Sequence, residues 1–454
     1  MLEMRRILGL AWPILIGQLA IIAFGVIDTA MVGRYSPLDL AALGLGSSIY
    51  VSVYISLTGI VVALQPIVGQ LYGAQRYSEI GEAVRQAGWL AAVLALLGCC
   101  LLYFPGPLLR LTHAPQQLTE RTLDYLRLLS FGLPASLVFR IYTSLSNGIA
   151  KPRNVMAIQI MALLLKIPAN AWFIFGGLGL PALGGTGCAL ASTLINWSTC
   201  LLALGLMMRH PAYRRFGCFS HFSRPAWARQ MELLKLGIPM GLSYLIEVTA
   251  YTFMALFIAR FGTIQLAGHQ IAANLGAVLY MTPLSIGIAT STLVAQHLGA
   301  RQPLAARTVS RHGIVLAVGL ALLYSAILVC ARPLIIAAYT PDPGVAAAAM
   351  PLLLLVGMFH PWDALQCTSA FVLRGHKIAV VPTLIYAVAL WGVGIGGGYY
   401  FGFNLSGRVP HALTGAGGFW FAACLSAATA AIMLLGYWHF KFNRQSQLIS
   451  TATQ

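Results

Sequence analysis

The sequence contains very few charged residues. Only 9% of its 454 residues are Asp, Glu, Lys or Arg, 59% are hydrophobic, and the mean hydropathy is +0.80. A soluble protein carries roughly a quarter of its residues as charged side chains. The shortage of charge therefore excludes a soluble domain and predicts a polytopic membrane protein of the all-α class.

Several enzyme and cofactor motifs are also absent from the sequence. It has no HExxH, GxSxG or GxGD-type motif, which disfavours a membrane-embedded enzyme, and no cofactor is predicted. The glycine-rich run at 176–187, GGLGLPALGGTG, lacks the GK[ST] of a phosphate-binding loop. We interpret it as the turn that opens the sixth apolar span, with LTGAG at 413–417 as its counterpart. None of the eight cysteines forms a C-x-x-C pair, and most lie inside apolar runs, which predicts that they are buried thiols.

The net charge of +17 does not indicate a nucleic-acid partner, because the basic residues do not cluster in one domain. They lie in short loops between apolar runs, which is the distribution that membrane orientation requires. The predicted partner is the lipid bilayer. The start, MLEMRR, runs directly into an apolar stretch without an A-x-A cleavage site, so the first helix is expected to be retained.

Twelve apolar spans emerge when the runs are broken at charges and at Gly/Pro clusters. Each is long enough to cross a bilayer as a helix. They cover 8–32, 42–70, 87–106, 123–147, 155–176, 186–208, 234–259, 266–296, 313–338, 345–373, 379–402 and 414–440.

The Lys and Arg residues predict the orientation. With an even number of spans and an inside N-terminus, 19 of the 28 fall on the cytoplasmic side. Two, Arg140 and Lys166, lie within spans, and seven fall on the outer side: Arg34, Arg110, Arg121, Arg127, Arg260, Arg332 and Arg408. This bias predicts that both termini and the basic segment 209–232 are cytoplasmic.

The chain repeats itself at a spacing of 226 residues. Pro239 matches Pro13, Arg260 matches Arg34, and Gln296 matches Gln70. This predicts two six-helix lobes, 1–208 and 233–440, related by a pseudo-two-fold axis, with 209–232 as linker and 441–454 as a cytoplasmic tail. Parallel repeats of this kind are typical of transporters that alternate access between two lobes.

Three carboxylates lie within spans: Asp28 in the first, Glu247 in the seventh and Asp363 in the tenth. A carboxylate inside a membrane is a functional-site hypothesis by default. Such a group either binds and releases a proton or, with other oxygen ligands, holds Na⁺. Lys166 is the unusual cation of the fifth span. It either pairs with Asp28 and so mimics a bound ion, or extends to the interface.

Aromatic side chains recur on the same spans. Helix packing and interfacial belts explain most of them, and a few are candidates to bind flat organic cations through cation–π contacts. The candidates for a substrate cleft are Tyr50, Tyr244, Tyr251, Tyr280, Phe359 and Trp362.

Several of these stretches together resemble one known family. They are WPILIGQLAIIAFGVIDTAMVGR, PIVGQLYGAQR, the LGGTG turn, KLGIPMGLSYLIEVT and VLRGHK. They are similar to the multidrug and toxic compound extrusion transporters, and the pairing of Glu247 with Asp363 is similar to the NorM branch. The resemblance covers essentially the whole chain.

The resemblance implies a monomer in the bacterial cytoplasmic membrane that exports cationic drugs in exchange for Na⁺ or H⁺. It places the second-lobe cation site at Glu247 and Asp363, and the first-lobe carboxylate at Asp28. In the fifth span the branch has NIPLN, whereas this chain has KIPAN: Asn170 is retained and Lys166 replaces the other asparagine. A fixed charge there argues against Na⁺ in the first lobe. A lipid-linked glycan flippase of the same superfamily is the alternative function.

Overall fold

The computed structural model describes residues 2–106, 109, 115–177 and 179–452. Arg110, which the orientation analysis places outside, and the last two residues of the predicted tail lie beyond these described residues.

Twelve helices within the described residues are long and apolar enough to cross a membrane. We number them spans 1 to 12. Their bounds are Glu3–Tyr35, Pro37–Gly73, Tyr77–Tyr103, Gln116–Gly148, Pro152–Phe175, Gly184–Arg209, Trp227–Ala259, Thr263–Gly299, Pro303–Cys330, Pro343–Gly375, Val380–Gly402 and Ala416–Phe442. The prediction of an all-α polytopic fold with twelve spans is confirmed.

Two spans contain irregular backbone. Span 2 is made of two helices, Pro37–Val61 and Leu64–Gly73. Span 11 begins as an α-helix, Val380–Tyr386, becomes a π-helix over Ala387–Gly396 and ends as an α-helix, Gly397–Gly402. Ten residues of π-helix are unusual, because this conformation occurs mostly as single turns, frequently at functional sites.

The chain folds into two compact units. The first, which we call the N-unit, contains Trp12–Gly241 and Ala295–Arg301. Span 4 packs most extensively on spans 2, 3 and 6 there. A buried cluster from spans 1, 2, 4, 5 and 6 forms part of its core: Val32, Leu43, Tyr125, Leu129, Ile174, Cys188 and Ala189.

The other unit, which we call the C-unit, contains Met1–Ala11, Leu242–Val294 and Gln302–Gln454. Span 10 packs most extensively on spans 9 and 12, in the position that span 4 holds in the N-unit. One buried cluster of the C-unit contains the aromatic residues Phe359, Phe419 and Trp420. This equivalence of spans 4 and 10 is consistent with the sequence repeat, and the exact lobe boundaries of that repeat stay a prediction.

The basic segment between spans 6 and 7 is ordered and belongs to the N-unit. It contains a short helix, Pro211–Arg214, and then follows span 3. Arg85 donates to the Gly217 carbonyl (2.7 Å) and Trp89 donates to the Ser223 carbonyl (2.9 Å). Its connection to span 3 is therefore specific, and the segment is not a free tether.

The glycine-rich run is a turn that opens span 6, as predicted. Gly184 has φ +59°, and the backbone N–H of Gly185 donates to Asp39 Oδ2 at 3.2 Å. A buried carboxylate at a helix N-terminus satisfies otherwise unpaired N–H groups and the helix dipole. Gly415, with φ +60°, precedes span 12 in the corresponding way.

Candidate functional site

A pocket in the C-unit brings together two of the three predicted carboxylates. Glu247 of span 7 and Asp363 of span 10 both line it. The remaining wall comes from spans 7, 10, 11 and 12: Ala250, Tyr251, Met254, Phe359, Gln366, Leu390, Gly394, Ile395, Phe419, Ala423, Ser426 and Ala427. The cavity volume is about 50 Å³, and one water needs about 10–15 Å³ on the same measure. The pocket therefore accommodates a small cation with a few waters.

Asp363 is 4% exposed and accepts one hydrogen bond from a neighbour on its own helix. Gln366 Nε2 donates to Asp363 Oδ1 at 2.9 Å. The other amide atom of this side chain, Gln366 Oε1, is buried without a hydrogen-bond partner among the described residues. An unpaired buried acceptor is unfavourable, so a cation or a water in the pocket would find a carboxylate and an amide oxygen on neighbouring helical turns.

Glu247 lines the same pocket from span 7. The Tyr280 hydroxyl is its hydrogen-bonding neighbour, and it interacts electrostatically with Arg374 and Asp363. Neither Glu247 nor Asp363 has a Lys, Arg or His nitrogen within 4.0 Å in the described part of the chain. Two ionised carboxylates in one pocket repel each other. A proton or a cation bound between them relieves that repulsion.

Arg374 is a site residue that the sequence analysis missed. It was assigned to a cytoplasmic loop, but span 10 extends to Gly375 and buries Arg374 to 3% exposure. Its Nη1 donates to the Tyr244 hydroxyl at 2.9 Å, and its guanidinium lies 4.6 Å from the Phe371 ring centroid and 4.8 Å from that of Tyr244. The VLRGHK motif contains Arg374 and was the available signal. An arginine at the end of a span, however, is usually taken as a marker of membrane orientation.

The π-helix of span 11 forms one wall of the pocket through Leu390, Gly394 and Ile395. Span 12 hydrogen-bonds to this π-helix, because Ser426 Oγ donates to the Ala389 carbonyl at 2.8 Å. A Cβ added at Gly394 would lie 3.2 Å from that same hydroxyl oxygen. The serine and the glycine therefore fit together next to the two carboxylates.

The predicted aromatic residues separate into groups. Tyr251 and Phe359 line the carboxylate pocket. Tyr280 and Tyr244 contact Cys367 and Arg374 next to it. Trp362 is 40% exposed and does not line the pocket.

Tyr50 belongs to the N-unit and stacks on Tyr54, with ring centroids 5.7 Å apart. The structure thus associates four of the six aromatic candidates with the C-unit pocket, and their role in substrate binding stays a prediction.

The third carboxylate, Asp28, lies in the N-unit with both of its predicted partners. Lys166 Nζ is 3.0 Å from Asp28 Oδ1, and Asn170 Nδ2 donates to the same oxygen at 2.6 Å. The ammonium group also donates to the Ser192 hydroxyl of span 6. Of the two arrangements that the sequence left open for Lys166, the structure contains the ion pair.

The donor set of the C-unit pocket consists of oxygen atoms. No group of three or more His, Cys, Asp or Glu side chains suited to a metal ion occurs in the part of the chain that the structure describes. The C-unit pocket offers oxygen ligands, which hard cations prefer. These come from the Glu247 and Asp363 carboxylates and the unpaired Gln366 amide oxygen.

Both halves of the chain are similar to known proteins. The MatE family model matches residues 13–172 and again residues 239–400. A relative from Aromatoleum aromaticum, "Probable multidrug resistance protein NorM", is 39% identical over 94% of this chain and 92% of its own length. "Multidrug resistance protein PmpM" of Pseudomonas aeruginosa is 36% identical over 95% of this chain and 90% of its own length.

Solved structures with the same fold include proteins of very different origin. The eukaryotic MATE transporter AtDTX14 superimposes with a TM-score of 0.84 at 19% identity, over 95% of this chain and 94% of that one. A point mutant of the Vibrio cholerae MATE transporter VcmN superimposes with a TM-score of 0.88 at 17% identity, over 97% of each chain. At these identities the similarity concerns the fold alone.

Proposed function

Because this chain belongs to the MatE family of multidrug and toxic compound extrusion transporters, NorM-like branch, we propose that it exports organic cations from the cell in exchange for Na⁺ or H⁺. Its relatives are named as multidrug resistance proteins. A transporter rather than an enzyme is thereby confirmed, and the names of the relatives do not favour the glycan flippase. The bacterial relatives support a location in the cytoplasmic membrane.

The observation that carries the proposal is the pair of carboxylates in the C-unit pocket. Glu247 and Asp363 line one pocket on facing helices, with no basic side chain within 4.0 Å of either among the described residues. A charged carboxylate within a membrane span has an unfavourable free energy unless a counter-charge is bound. A coupling ion supplies that counter-charge and is exchangeable, because it is not attached to the chain.

Exchange follows if ion and drug favour different states of the transporter. A ligand that binds two states equally shifts no equilibrium, whereas a ligand that prefers one state shifts it by its difference in affinity. The carboxylates serve this role if their affinity for the ion differs between the inward-open and outward-open states. An organic cation then competes with the ion for the same negative charge, either directly or through the conformational equilibrium.

The lining of the pocket supports the substrate class. Tyr251, Phe359 and Phe419 place aromatic rings around the two carboxylates. Aromatic faces attract cations, and apolar walls with a few polar groups are typical of small-molecule sites. Flat, lipophilic cations carry both properties.

The test is transport by the purified protein in proteoliposomes. A fluorescent organic cation is loaded, and Na⁺ and H⁺ gradients are imposed separately and then together. We expect efflux to accelerate with one of the two gradients and to be abolished when Glu247→Gln is present. Efflux that is indifferent to both gradients would contradict the proposal.

A further inference from the structure

The N-unit carboxylate Asp28 is paired with a lysine, whereas the C-unit carboxylates Glu247 and Asp363 form no ion pair among the described residues. Lys166 is 2% exposed, and its Nζ lies 3.0 Å from Asp28 Oδ1. An amine that extended to the bilayer interface would keep its charged end in water. At this burial the amine does not reach water, so its charge is balanced by Asp28.

The surroundings of the ammonium resemble the surroundings of a bound cation. It contacts oxygen atoms from two other helices, Asp28 Oδ1 of span 1 and Ser192 Oγ of span 6. Ser192 in turn donates to the Cys188 carbonyl at 2.9 Å. Asn170, one helical turn after Lys166, donates to the same oxygen of Asp28.

One acceptor in this cluster is left without a partner. Asn170 is fully buried, and its Oδ1 has no hydrogen-bond partner among the described residues. A carboxylate, a hydroxyl and an unpaired amide oxygen together form an oxygen-rich setting. In the C-unit the corresponding set is Asp363, Glu247 and the unpaired Gln366 Oε1, and no basic nitrogen lies within 4.0 Å of those carboxylates in the described residues.

We propose that the Lys166 ammonium is a counter-cation attached to the chain, which takes the place of an exchangeable ion at Asp28. The N-unit carboxylate is then permanently neutralised, and ion exchange is confined to Glu247 and Asp363. Lys166 thus acts as a specificity-determining residue that fixes how many carboxylates take part in exchange. This assignment rests on the proposed function only for its role in coupling.

The proposal predicts how the melting temperature depends on Na⁺ and on pH when Lys166 is replaced. Removing the amine while keeping the carboxylate opens a site for a free ion, and a ligand that binds only the folded state raises the melting temperature. Removing both charges opens no such site. If Lys166 contributed only packing and its hydrogen bond to Ser192, its loss would lower the melting temperature in each case without adding a dependence on Na⁺ or on pH.

The experiment uses the full-length protein in detergent with the Glu247→Gln/Asp363→Asn changes as background, so that ion effects at the C-unit pocket are removed. Three variants are compared in it: Lys166→Met, Lys166→Met/Asp28→Asn, and Lys151→Met as a control. Lys151 is an exposed lysine in the turn before span 5. Melting temperatures are measured in NaCl and in choline chloride at equal ionic strength, each at acidic and at alkaline pH.

We expect Lys166→Met to melt at a lower temperature than the background and to recover part of the loss in Na⁺ or at acidic pH. The Asp28→Asn double change should melt higher than Lys166→Met and lose that dependence. The control should match the background. The proposal is wrong if the ion and pH dependence of Lys166→Met equals that of the background, or if the double change keeps the excess dependence of Lys166→Met.

These outcomes are independent of transport. If the wild-type protein showed no gradient-driven efflux, the proposed function would fail, while the melting data would still decide whether Lys166 replaces an ion at Asp28.

Discussion

At the scale of single residues, the two C-unit carboxylates behave as one site in our proposal. Glu247 and Asp363 line the same pocket and repel each other when both are ionised. Residues that share a site are not additive. The double change, compared with each single change, should therefore show whether the two carboxylates form one site.

We predict that Glu247→Gln and Asp363→Asn each abolish gradient-driven efflux and that the double change is little worse than either. A neutral amide is less costly to bury than a carboxylate, so folding should be retained. Efflux from proteoliposomes, with protein insertion quantified, is the measurement. Glu232→Gln is the matched control, since that carboxylate lies 38% exposed in the same helix. Normal efflux by Glu247→Gln would shift the coupling role to Asp28.

A second prediction concerns His376, which lies between spans 10 and 11 and outside both. Its ring is 4.1 Å from that of Phe442, and burial, with a smaller contribution from Lys441, lowers the pKa of His376 to about 4. The unfolded chain binds a proton at a pKa of about 6.5. As the pH falls below about 6.5, protons bind to His376 in the unfolded chain but not in the folded protein, so the free energy of unfolding decreases. The decrease ends when the folded protein also binds the proton, near pH 4.

We expect His376→Phe to reduce the loss of thermal stability between neutral and mildly acidic pH, by up to about 1.4 kcal/mol per pH unit. Melting curves of wild type and variant across that range measure it. His439→Phe is a control on the last span. Equal pH slopes for His376→Phe and wild type would show that this ring does not determine acid sensitivity.

At the scale of elements, the turn before span 6 depends on glycine. Gly184 has φ +59°, and a Cβ there would lie 2.2 Å from Asp39 Oδ2. A non-glycine residue in the left-handed region costs about 1–3 kcal/mol, and Asp39 would also have to leave the helix N-terminus that it caps.

Gly184→Ala should therefore lower the melting temperature clearly, whereas Gly205→Ala in the same helix should not, because nothing lies within 4 Å of a Cβ at Gly205. Thermal unfolding of both variants in detergent measures the difference. Equal melting temperatures would mean that the turn tolerates a side chain and that the Asp39 cap contributes little.

The π-helix of span 11 gives a further prediction at this scale. Ser426 Oγ donates to the Ala389 carbonyl, and the loss of such a buried hydrogen bond costs about 0.5–1.5 kcal/mol. Ser426→Ala should therefore destabilise the C-unit and weaken efflux, since Ser426 also lines the carboxylate pocket. Ser198→Ala is the control, because that exposed hydroxyl bonds only within its own helix. If Ser426→Ala showed the melting temperature and efflux of the wild type, the hydrogen bond from Ser426 to the π-helix would contribute neither to stability nor to transport.

At the scale of the whole molecule, the prediction is orientation. The bias of 19 basic residues to seven places both termini and the segment 209–232 in the cytoplasm. Reporter fusions after residue 442, paired with fusions in the turn between spans 5 and 6, are the measurement. We expect the first to be active only inside and the second only outside. The reverse pattern would overturn the orientation and, with it, the direction of export.

Much of the architecture follows from the sequence alone. The number and order of the spans are set by apolar runs of bilayer length, because a helix is the solution that satisfies every backbone hydrogen bond of a single segment in lipid. The repeat at 226 residues and the intramembrane positions of Asp28, Glu247 and Asp363 are likewise properties of the chain. Each depends on local composition or on spacing, which need no knowledge of neighbours.

The pairing of those residues was decided only by the tertiary structure. Sequence spacing did not determine whether Lys166 meets Asp28 or the interface, because the answer depends on how spans 1, 5 and 6 pack. Arg374 was assigned to a loop until the length and packing of span 10 buried it. The π-helix that forms a wall of the pocket left no mark in hydropathy, because the hydropathy of a segment is the same whichever backbone groups pair, and α- and π-helices differ in that pairing.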